Sequence, residues 1–190
     1  GDVSEDILRG KRLTRYEGHV AMATESVRPY RLSESAVVYI EVADSKVPFA
    51  PPDEHPRLNQ SQMVFRPLVL PVIVGTTVDF PNNDEVFHNV FSYSQPREFD
   101  LGRYPKGNVR SVRFEKPGTV KVYCDIHSYM YATILVLENP YFAVPDDDGN
   151  FELRNIPEGT YELSCWYGRK KTGTTHITVK ADQTAMVNFP

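Results

Sequence analysis

The sequence predicts an all-β protein. Short runs in which apolar and polar residues alternate follow one another along most of the 190 residues, and no long stretch has the 3.6-residue periodicity of a helix. The 15 prolines and 11 glycines interrupt these runs at short intervals, which is typical of strands joined by turns. A hydrophobic fraction of 41% is enough for one large β domain or two small ones.

In the first half of the chain, the sequence pattern predicts strands separated by turns at Gly75–Thr77 and Pro81–Glu85 and by a proline-rich loop at 47–59. These strands are Tyr16–Ala23, Ala36–Val42, Gln62–Phe65, Leu68–Val74, Thr77–Phe80 and His88–Ser92. Residues 1–12 are polar and charged and are predicted to be a loose lead-in.

The second half continues in the same style, although its rhythm changes near residue 140. Its predicted strands are Val109–Phe114, Thr119–Tyr123, Ala132–Leu137, Phe151–Leu153, Tyr161–Trp166, His176–Val179 and Met186–Phe189. The acidic segment Asp146–Asn150 is predicted to be a hairpin turn. Its spacing does not fit an EF-hand calcium loop, which needs acidic residues at alternate positions and a glutamate at the twelfth.

The charge and hydropathy of the sequence argue against nucleic acid as a partner and against a membrane span. The net charge is −4, with acidic and basic residues mixed and no basic stripe, which argues against nucleic acid. Apolar runs of membrane-spanning length do not occur, so no membrane span is expected in this chain.

One short segment carries the metal chemistry. Cys124, His127 and Met130 follow the predicted strand Thr119–Tyr123 and place a thiolate, an imidazole and a thioether on a single loop. Two imidazoles, one thiolate and a weak axial thioether form the site of a copper ion that transfers one electron. His88, on an earlier predicted strand, is the candidate for the second imidazole. Any one of these residues alone would be explained by packing, but the combination predicts one mononuclear copper site.

The other histidines and the second cysteine narrow the class of site. His19, His55 and His176 are scattered, so the many histidines of an oxygen-reducing copper cluster are missing. A binuclear copper site needs two cysteines on one loop, but Cys165 lies on a distant predicted strand. Zinc prefers Cys and His sets without a thioether. A disulfide between Cys124 and Cys165 is the alternative to a free thiol at each position.

The same segments resemble the cupredoxins, the fold of plastocyanin and amicyanin. The resemblance is carried by Val72–Phe80, by Asn83–Val90 and by Lys116–Met130, with a ligand loop as short as that of amicyanin. It is especially close to bacterial exported proteins of the methylamine-utilisation or plastocyanin-like group. It implies a Greek-key β-sandwich that binds one copper ion.

The resemblance also assigns residue roles. His88, Cys124 and His127 would be equatorial ligands of the copper, and Met130 would be the axial ligand. Asn89 would match the family's asparagine that follows the first histidine, and would form a hydrogen bond near the cysteine loop in a supporting role.

The tail resembles a second family. Asp148–Leu163 is similar to the transthyretin-like regulatory domain of carboxypeptidases, and Gly18–Val20 and Ser35–Glu41 could supply its early strands. We therefore predict a lead-in at 1–12, the first strands of a small transthyretin-like sandwich and a loop at 13–57, a cupredoxin domain at 58–139, and the remaining strands of the small sandwich at 140–190. The alternative is a tail that packs on the side of one enlarged cupredoxin.

The expected function is one-electron transfer outside the cytoplasm, in the periplasm or beyond it, after removal of a signal peptide. His127 would be the ligand nearest the solvent, and Ile126, Tyr129 and Tyr104 would surround it as an apolar docking patch. The partner would be another redox protein, such as a cytochrome c or an oxidoreductase, bound weakly and transiently. A copper-handling or copper-sensing protein and a structural module with a vestigial metal loop are the alternatives, and no catalytic residues of an enzyme can be named.

Overall fold

The computed structural model describes residues 28–41 and 49–189. Within these ranges it contains one helical turn and thirteen strands, which confirms the predicted all-β class. The elements are α1 Leu32–Ser35, β1 Ala36–Ile40, β2 Asn59–Ser61, β3 Val64–Arg66, β4 Val69–Ile73, β5 Thr77–Pro81, β6 His88–Ser94, β7 Arg97–Tyr104, β8 Val109–Arg113, β9 Gly118–Cys124, β10 Tyr131–Leu137, β11 Phe142–Ala143, β12 Gly159–Tyr167 and β13 Lys170–Val179. In the described part of the chain, no helix has the length and apolar character that a membrane crossing requires.

The described residues divide into two compact units. The site unit comprises residues 28–30 and 50–137, and the tail unit comprises residues 31–41, 49 and 138–189. The predicted strand Tyr16–Ala23 and the lead-in at 1–12 lie outside the described residues. The domain boundaries proposed from the sequence stay a prediction.

The site unit is a β-sandwich. Its larger sheet has the strand order β4-β10-β9-β6-β7, and the shorter pairs β2-β3 and β5-β8 complete it. Apolar side chains from the large sheet, such as Val90 and Ile134, form one buried cluster with Phe65 of β3 and Phe80 of β5. Such a core between two β layers is the arrangement expected of the predicted sandwich.

Two parts of the site unit differ from the sequence prediction. The end of the loop predicted at 47–59 and the strand predicted at Gln62–Phe65 instead form the hairpin of β2 and β3, with a turn at residues 62 and 63. The predicted strand Leu68–Val74 is present as β4, and Pro71 is tolerated in it because β4 pairs only with β10 and lies at the edge of the sheet. The prediction missed β7, which is largely exposed and rich in charged residues. Its register against β6 shifts between Asn89 and Phe91, so the regular alternation that marks a strand is interrupted there.

The tail unit is built on one four-stranded sheet with the order β11-β1-β12-β13. Strand β1 pairs antiparallel with both β11 and β12, although the whole site unit separates it from them in sequence. The predicted strands Phe151–Leu153 and Met186–Phe189 are not strands. Phe151, Leu153 and Phe189 are buried in the same cluster as Val38 and Leu163, so these side chains cover the core although their segments are not regular strands.

The segment Asp146–Asn150 is a turn, as predicted. The main-chain N–H of Asp146 donates to the carbonyl oxygen of Asn150 at 2.9 Å. The Asp146 carboxylate accepts from the main-chain N–H groups of Asp148 and Asn150 at 3.0 and 2.8 Å. These hydrogen bonds are those of an aspartate that closes its own turn.

We expect Gly118→Ala to destabilise the protein more than Gly107→Ala does. Both glycines have positive φ, +133° and +81°, but a Cβ atom at Gly118 would lie 2.7 Å from Pro96 Cγ, whereas one at Gly107 would meet no heavy atom within 4 Å. The additional loss of unfolding free energy should be about 1–3 kcal/mol, as for other overpacked sites. Urea unfolding of both variants measures it, and equal losses would contradict the close contact with Pro96.

Candidate metal centre

The pairing of β6 with β9 places the first two predicted ligands together. Val90 lies opposite Cys124 and Phe91 opposite Tyr123 in this antiparallel pair. His88 begins β6 and Cys124 ends the antiparallel strand β9, so both lie at the same end of the sheet. The chain then turns through the ligand loop, residues 124–130, which a hydrogen bond from Met130 N–H to the His127 carbonyl oxygen closes at 2.9 Å.

Three donor atoms converge at this end of the sheet. The Cys124 Sγ atom lies 3.7 Å from Nδ1 of His88 and 3.7 Å from Nδ1 of His127. The two Nδ1 atoms are 3.1 Å apart. His88 and Cys124 are buried, whereas the ring of His127 is partly exposed. One cysteine and two histidines from distant parts of the sequence thus surround a common point.

These separations fit a single metal ion. A divalent first-row ion bonds histidine nitrogen at about 2.0 Å and cysteine sulfur at about 2.3 Å, and donors about 120° apart then have N and S about 3.7 Å from each other. The observed distance between sulfur and each nitrogen is 3.7 Å. Two imidazoles with one thiolate are the donor set that suits copper.

Asp84 fixes the orientation of the His88 ring. Its Oδ2 atom lies 2.9 Å from Nε2 of His88. A carboxylate can only accept a hydrogen bond, so Nε2 carries a proton, and Nδ1 is the ring nitrogen that faces Cys124. A carboxylate behind a metal-binding histidine also raises the basicity of the ring. The sequence prediction missed Asp84, although its position four residues before His88 is a signal that could have indicated it.

Asp84 is itself held in place from two sides. Its carboxylate accepts the main-chain N–H groups of Gln62 and Met63 at 2.6 and 2.9 Å, at the tip of the β2–β3 hairpin. Its own main-chain N–H donates to Oδ1 of Asn82 at 2.9 Å. Asn82 is fully buried and donates to the carbonyl oxygens of Val86 and Tyr104, so it anchors the loop that leads to His88. Asp84, the hydrogen-bond partner of His88, is therefore positioned by a connected polar network.

The Cys124 thiol ionises more easily than an ordinary cysteine. Burial raises its pKa, but the hydrogen bond with His88 and those from the main-chain N–H groups of Asn89 and His127 outweigh this and lower the pKa to about 6. Near neutral pH the side chain is therefore a thiolate, the form that binds metals. Cys124 and Cys165 are both free, so they do not form the alternative disulfide.

Met130 lies where the ligand loop rejoins the sheet. Its side chain is buried in the core cluster of the site unit, with 1% of its surface exposed. The ligand loop places Met130 at the same end of the sheet as His88 and Cys124. Its role as the axial ligand stays a prediction.

Asn89 supports the cysteine differently from what the family resemblance implied. Its main chain contacts Cys124, because its N–H bonds the sulfur and its carbonyl oxygen accepts the N–H of Asp125 at 3.3 Å. Its side chain donates to Oδ1 of Asp100 at 2.7 Å, on β7 and not on the cysteine loop.

The surroundings of His127 agree in part with the predicted docking patch. Ile126 and Tyr129 expose 39% and 42% of their surface, and the rings of His127 and Tyr129 are 6.0 Å apart between centroids. Tyr104 was a wrong choice for this patch. It is fully buried, and its hydroxyl group contacts Gln60 Nε2 at 2.7 Å and the Phe80 carbonyl oxygen at 3.0 Å. The prediction missed Val86 and Phe87, which are exposed just before His88.

We expect Asp84→Ala to weaken copper binding by about 10–100-fold, because His88 loses the group that fixes its tautomer. Competition titration of the metal-free protein with a chelator of known affinity measures the change. Glu85→Ala is the matched control, since Glu85 is an exposed neighbour that pairs only with Lys106 among the described residues. Equal affinity of the Asp84 variant and the control would contradict the role of Asp84.

Comparison with known proteins places this unit in a family. Residues 55–137 match the family described as copper binding proteins, plastocyanin/azurin family. No curated protein sequence matches the chain.

Several solved structures are similar to part of the chain. A purple cupredoxin from Nitrosopumilus maritimus is 26% identical, with a TM-score of 0.39 over 43% of this chain and 98% of its own. A mutant of amicyanin in the Cu(I) form is 24% identical, with a TM-score of 0.42 over 52% and 97%. A copper-containing nitrite reductase from Thermus scotoductus SA-01 is 26% identical, with a TM-score of 0.44 over 53% of this chain and 25% of the enzyme.

The family match confirms the predicted cupredoxin and its copper cofactor, while the transthyretin-like resemblance of the tail stays a prediction. Residues 55–137 of this chain are similar to the plastocyanin/azurin family of copper-binding proteins.

Proposed function

We propose that this protein is a mononuclear type 1 (blue) copper protein that carries single electrons between other redox proteins. The observation that carries the proposal is the convergence of Cys124 Sγ with Nδ1 of His88 and of His127 at distances that suit one ion. Copper supplies the exchange of one electron between its Cu(II) and Cu(I) states. His88, Cys124 and His127 would bind it in one plane, and Met130 would be the axial ligand.

The residues of the site unit suit electron transfer because they are held rigidly. His88 and Cys124 lie on paired strands, and hydrogen bonds fix both side chains from behind. Donors that cannot move keep nearly the same arrangement in both oxidation states, so little rearrangement opposes the transfer. A methionine at the axial position would fill the place that a substrate needs, which supports a carrier over an enzyme.

The exposed edge of His127 is the proposed route for the electron. Four apolar residues are exposed in the segments that flank the two histidines, namely Val86, Phe87, Ile126 and Tyr129. We call these four residues the apolar rim. A small exposed apolar surface suits an interface that forms and separates quickly. The partner would be a cytochrome c or an oxidoreductase, and the proposed place of action is the periplasm or another compartment outside the cytoplasm.

Burial of the donors favours a carrier over a copper-handling protein. His88 has no exposed surface and Cys124 exposes 3%. A protein that passes copper to a partner needs ligands that the partner can reach. Here only the ring of His127 reaches the surface among the three converging donors.

Loading the purified protein with Cu(II) should produce the intense visible absorption of a thiolate bound to copper. Cys124→Ser should abolish this band, because the hydroxyl group that replaces the thiolate cannot donate charge in the same way. Cys165→Ser is the matched control and should retain the band, since Cys165 is the buried thiol of the tail unit. Optical and electron paramagnetic resonance spectra of the three proteins measure the effect, and a colourless copper adduct of the unmodified protein would overturn the proposal.

The apolar rim should govern the rate at which two copies exchange an electron. Ile126→Lys places a charge in the rim and should slow electron self-exchange by at least about tenfold, because like charges then face each other in the encounter complex. Tyr93→Lys places the same charge at the far end of β6, where 77% of the tyrosine is exposed, and should have a much smaller effect. Line broadening in nuclear magnetic resonance spectra of mixed oxidation states measures the rate. Equal slowing by both variants would show that electrons leave elsewhere.

A further inference from the structure

Asn89 lies beside Cys124 in the paired strands: its neighbour Val90 pairs with Cys124, and its carbonyl oxygen accepts the N–H of Asp125 at 3.3 Å. The main-chain N–H of Asn89 is the hydrogen-bond donor that helps to lower the pKa of the Cys124 thiol. The position of a main-chain N–H depends on what holds its residue. In this protein Asn89 is held through its side chain, which is buried to 6% exposure and donates to Oδ1 of Asp100 at 2.7 Å. The support of the sulfur therefore continues to a carboxylate on β7, a strand that contributes no metal ligand.

A β-bulge aims the Asp100 carboxylate at Asn89. Asn89 lies opposite Arg103 and Phe91 opposite Asp100, so Leu101 and Gly102 together face the single residue Val90. Gly102 has a φ of +63°, which allows its N–H to turn back and donate to Oδ1 of Asp100 at 2.8 Å. Bulges next to functional sites commonly redirect one side chain in this way.

The bulge is also held from the neighbouring strand pair. The guanidinium group of Arg110, on β8, donates to the carbonyl oxygen of Leu101 and lies 5.3 Å from the centre of the Tyr104 ring. The bulge thus has hydrogen bonds at Leu101 and at Gly102, from two different partners. Asp100 is exposed, yet its position is defined by these contacts rather than by burial.

We propose that Asp100 is a positioning residue for the copper site, which acts through the side chain of Asn89 on the N–H group that bonds the Cys124 sulfur. A hydrogen bond to the sulfur withdraws electron density from the thiolate, and such bonds tune the potential of a cysteine-bound copper. This inference rests on the proposed function. A weaker bond leaves more electron density on the sulfur, which favours Cu(II) over Cu(I).

Asp100→Ala should lower the reduction potential of the copper-loaded protein and move the thiolate-to-copper band to longer wavelength. Asp100→Asn keeps an oxygen acceptor for Asn89 and Gly102 and should give a smaller shift in the same direction. Glu98→Ala removes the same charge from an exposed position on the same strand and should leave both values unchanged. A shift in Glu98→Ala as large as in Asp100→Ala would overturn the proposal, because it would show an effect of charge alone.

A second measurement separates this proposal from the copper assignment itself. In the metal-free protein, Asp100→Ala should speed hydrogen exchange of the Asn89 amide by roughly tenfold, which is the loss of one hydrogen bond to a charged group. Glu98→Ala should not change the exchange rate. If the unmodified protein fails to form a coloured copper complex, the proposed function fails, while faster exchange would still support the link from Asp100 to Asn89. Unchanged exchange in Asp100→Ala would sink that link whether or not copper binds.

Discussion

The antiparallel pairing of β6 with β9 is the constraint on which the candidate metal centre depends. It fixes Val90 opposite Cys124, and thereby brings the residue that begins one strand to the residue that ends the other. A slip of one residue would turn His88 or Cys124 to the opposite face of the sheet. The buried cluster that includes Val90, Val120 and Val122 specifies this register, because a slip of one residue would expose apolar side chains. The packing of the core therefore also fixes the positions of the donor atoms.

Polar contacts then determine how the donors face each other. Asp84 accepts a hydrogen bond from the imidazole of His88 and joins it to the β2–β3 hairpin, while Asn89 supplies an N–H group to the sulfur. Gln60 and Tyr104 extend this polar layer into the interior, where their side chains bond each other. Buried polar groups are costly unless they are paired, and among these side chains the Gln60 Oε1 atom lacks a partner in the described part of the chain. The contacts that are paired allow few alternative arrangements. The side chains of His88 and Cys124, which this network contacts, are therefore held in one arrangement.

The sequence was sufficient for the strands of the core and for the ligand loop, because both are local patterns. Cys124, His127 and Met130 lie within seven residues of one another, and alternation marks β8 and β9 directly. The contacts of Asp84 with Met63 and of Asn89 with Asp100 depend on which strands become neighbours. Local spacing does not contain that information.

The failures in the tail unit have the same origin. Phe151 and Phe189 carry the apolar character of strand residues, but they cover the sheet instead of pairing in it. Both outcomes bury the same apolar surface, so composition alone cannot separate them. The strand β7 was missed for the converse reason: its exposed charged residues and its bulge conceal a paired strand.

The long-range pairing of β1 has a consequence for a nicked chain. Residues 52–54 are exposed, and a protease that cut there would divide the polypeptide between β1 and the strands of the site unit. The amino-terminal piece would still be anchored by backbone hydrogen bonds to β11 and β12, and by the side chains of Val38 and Ile40 in the core of the tail unit. Cleavage at this point would thus yield two fragments on a denaturing gel and a single particle in native chromatography.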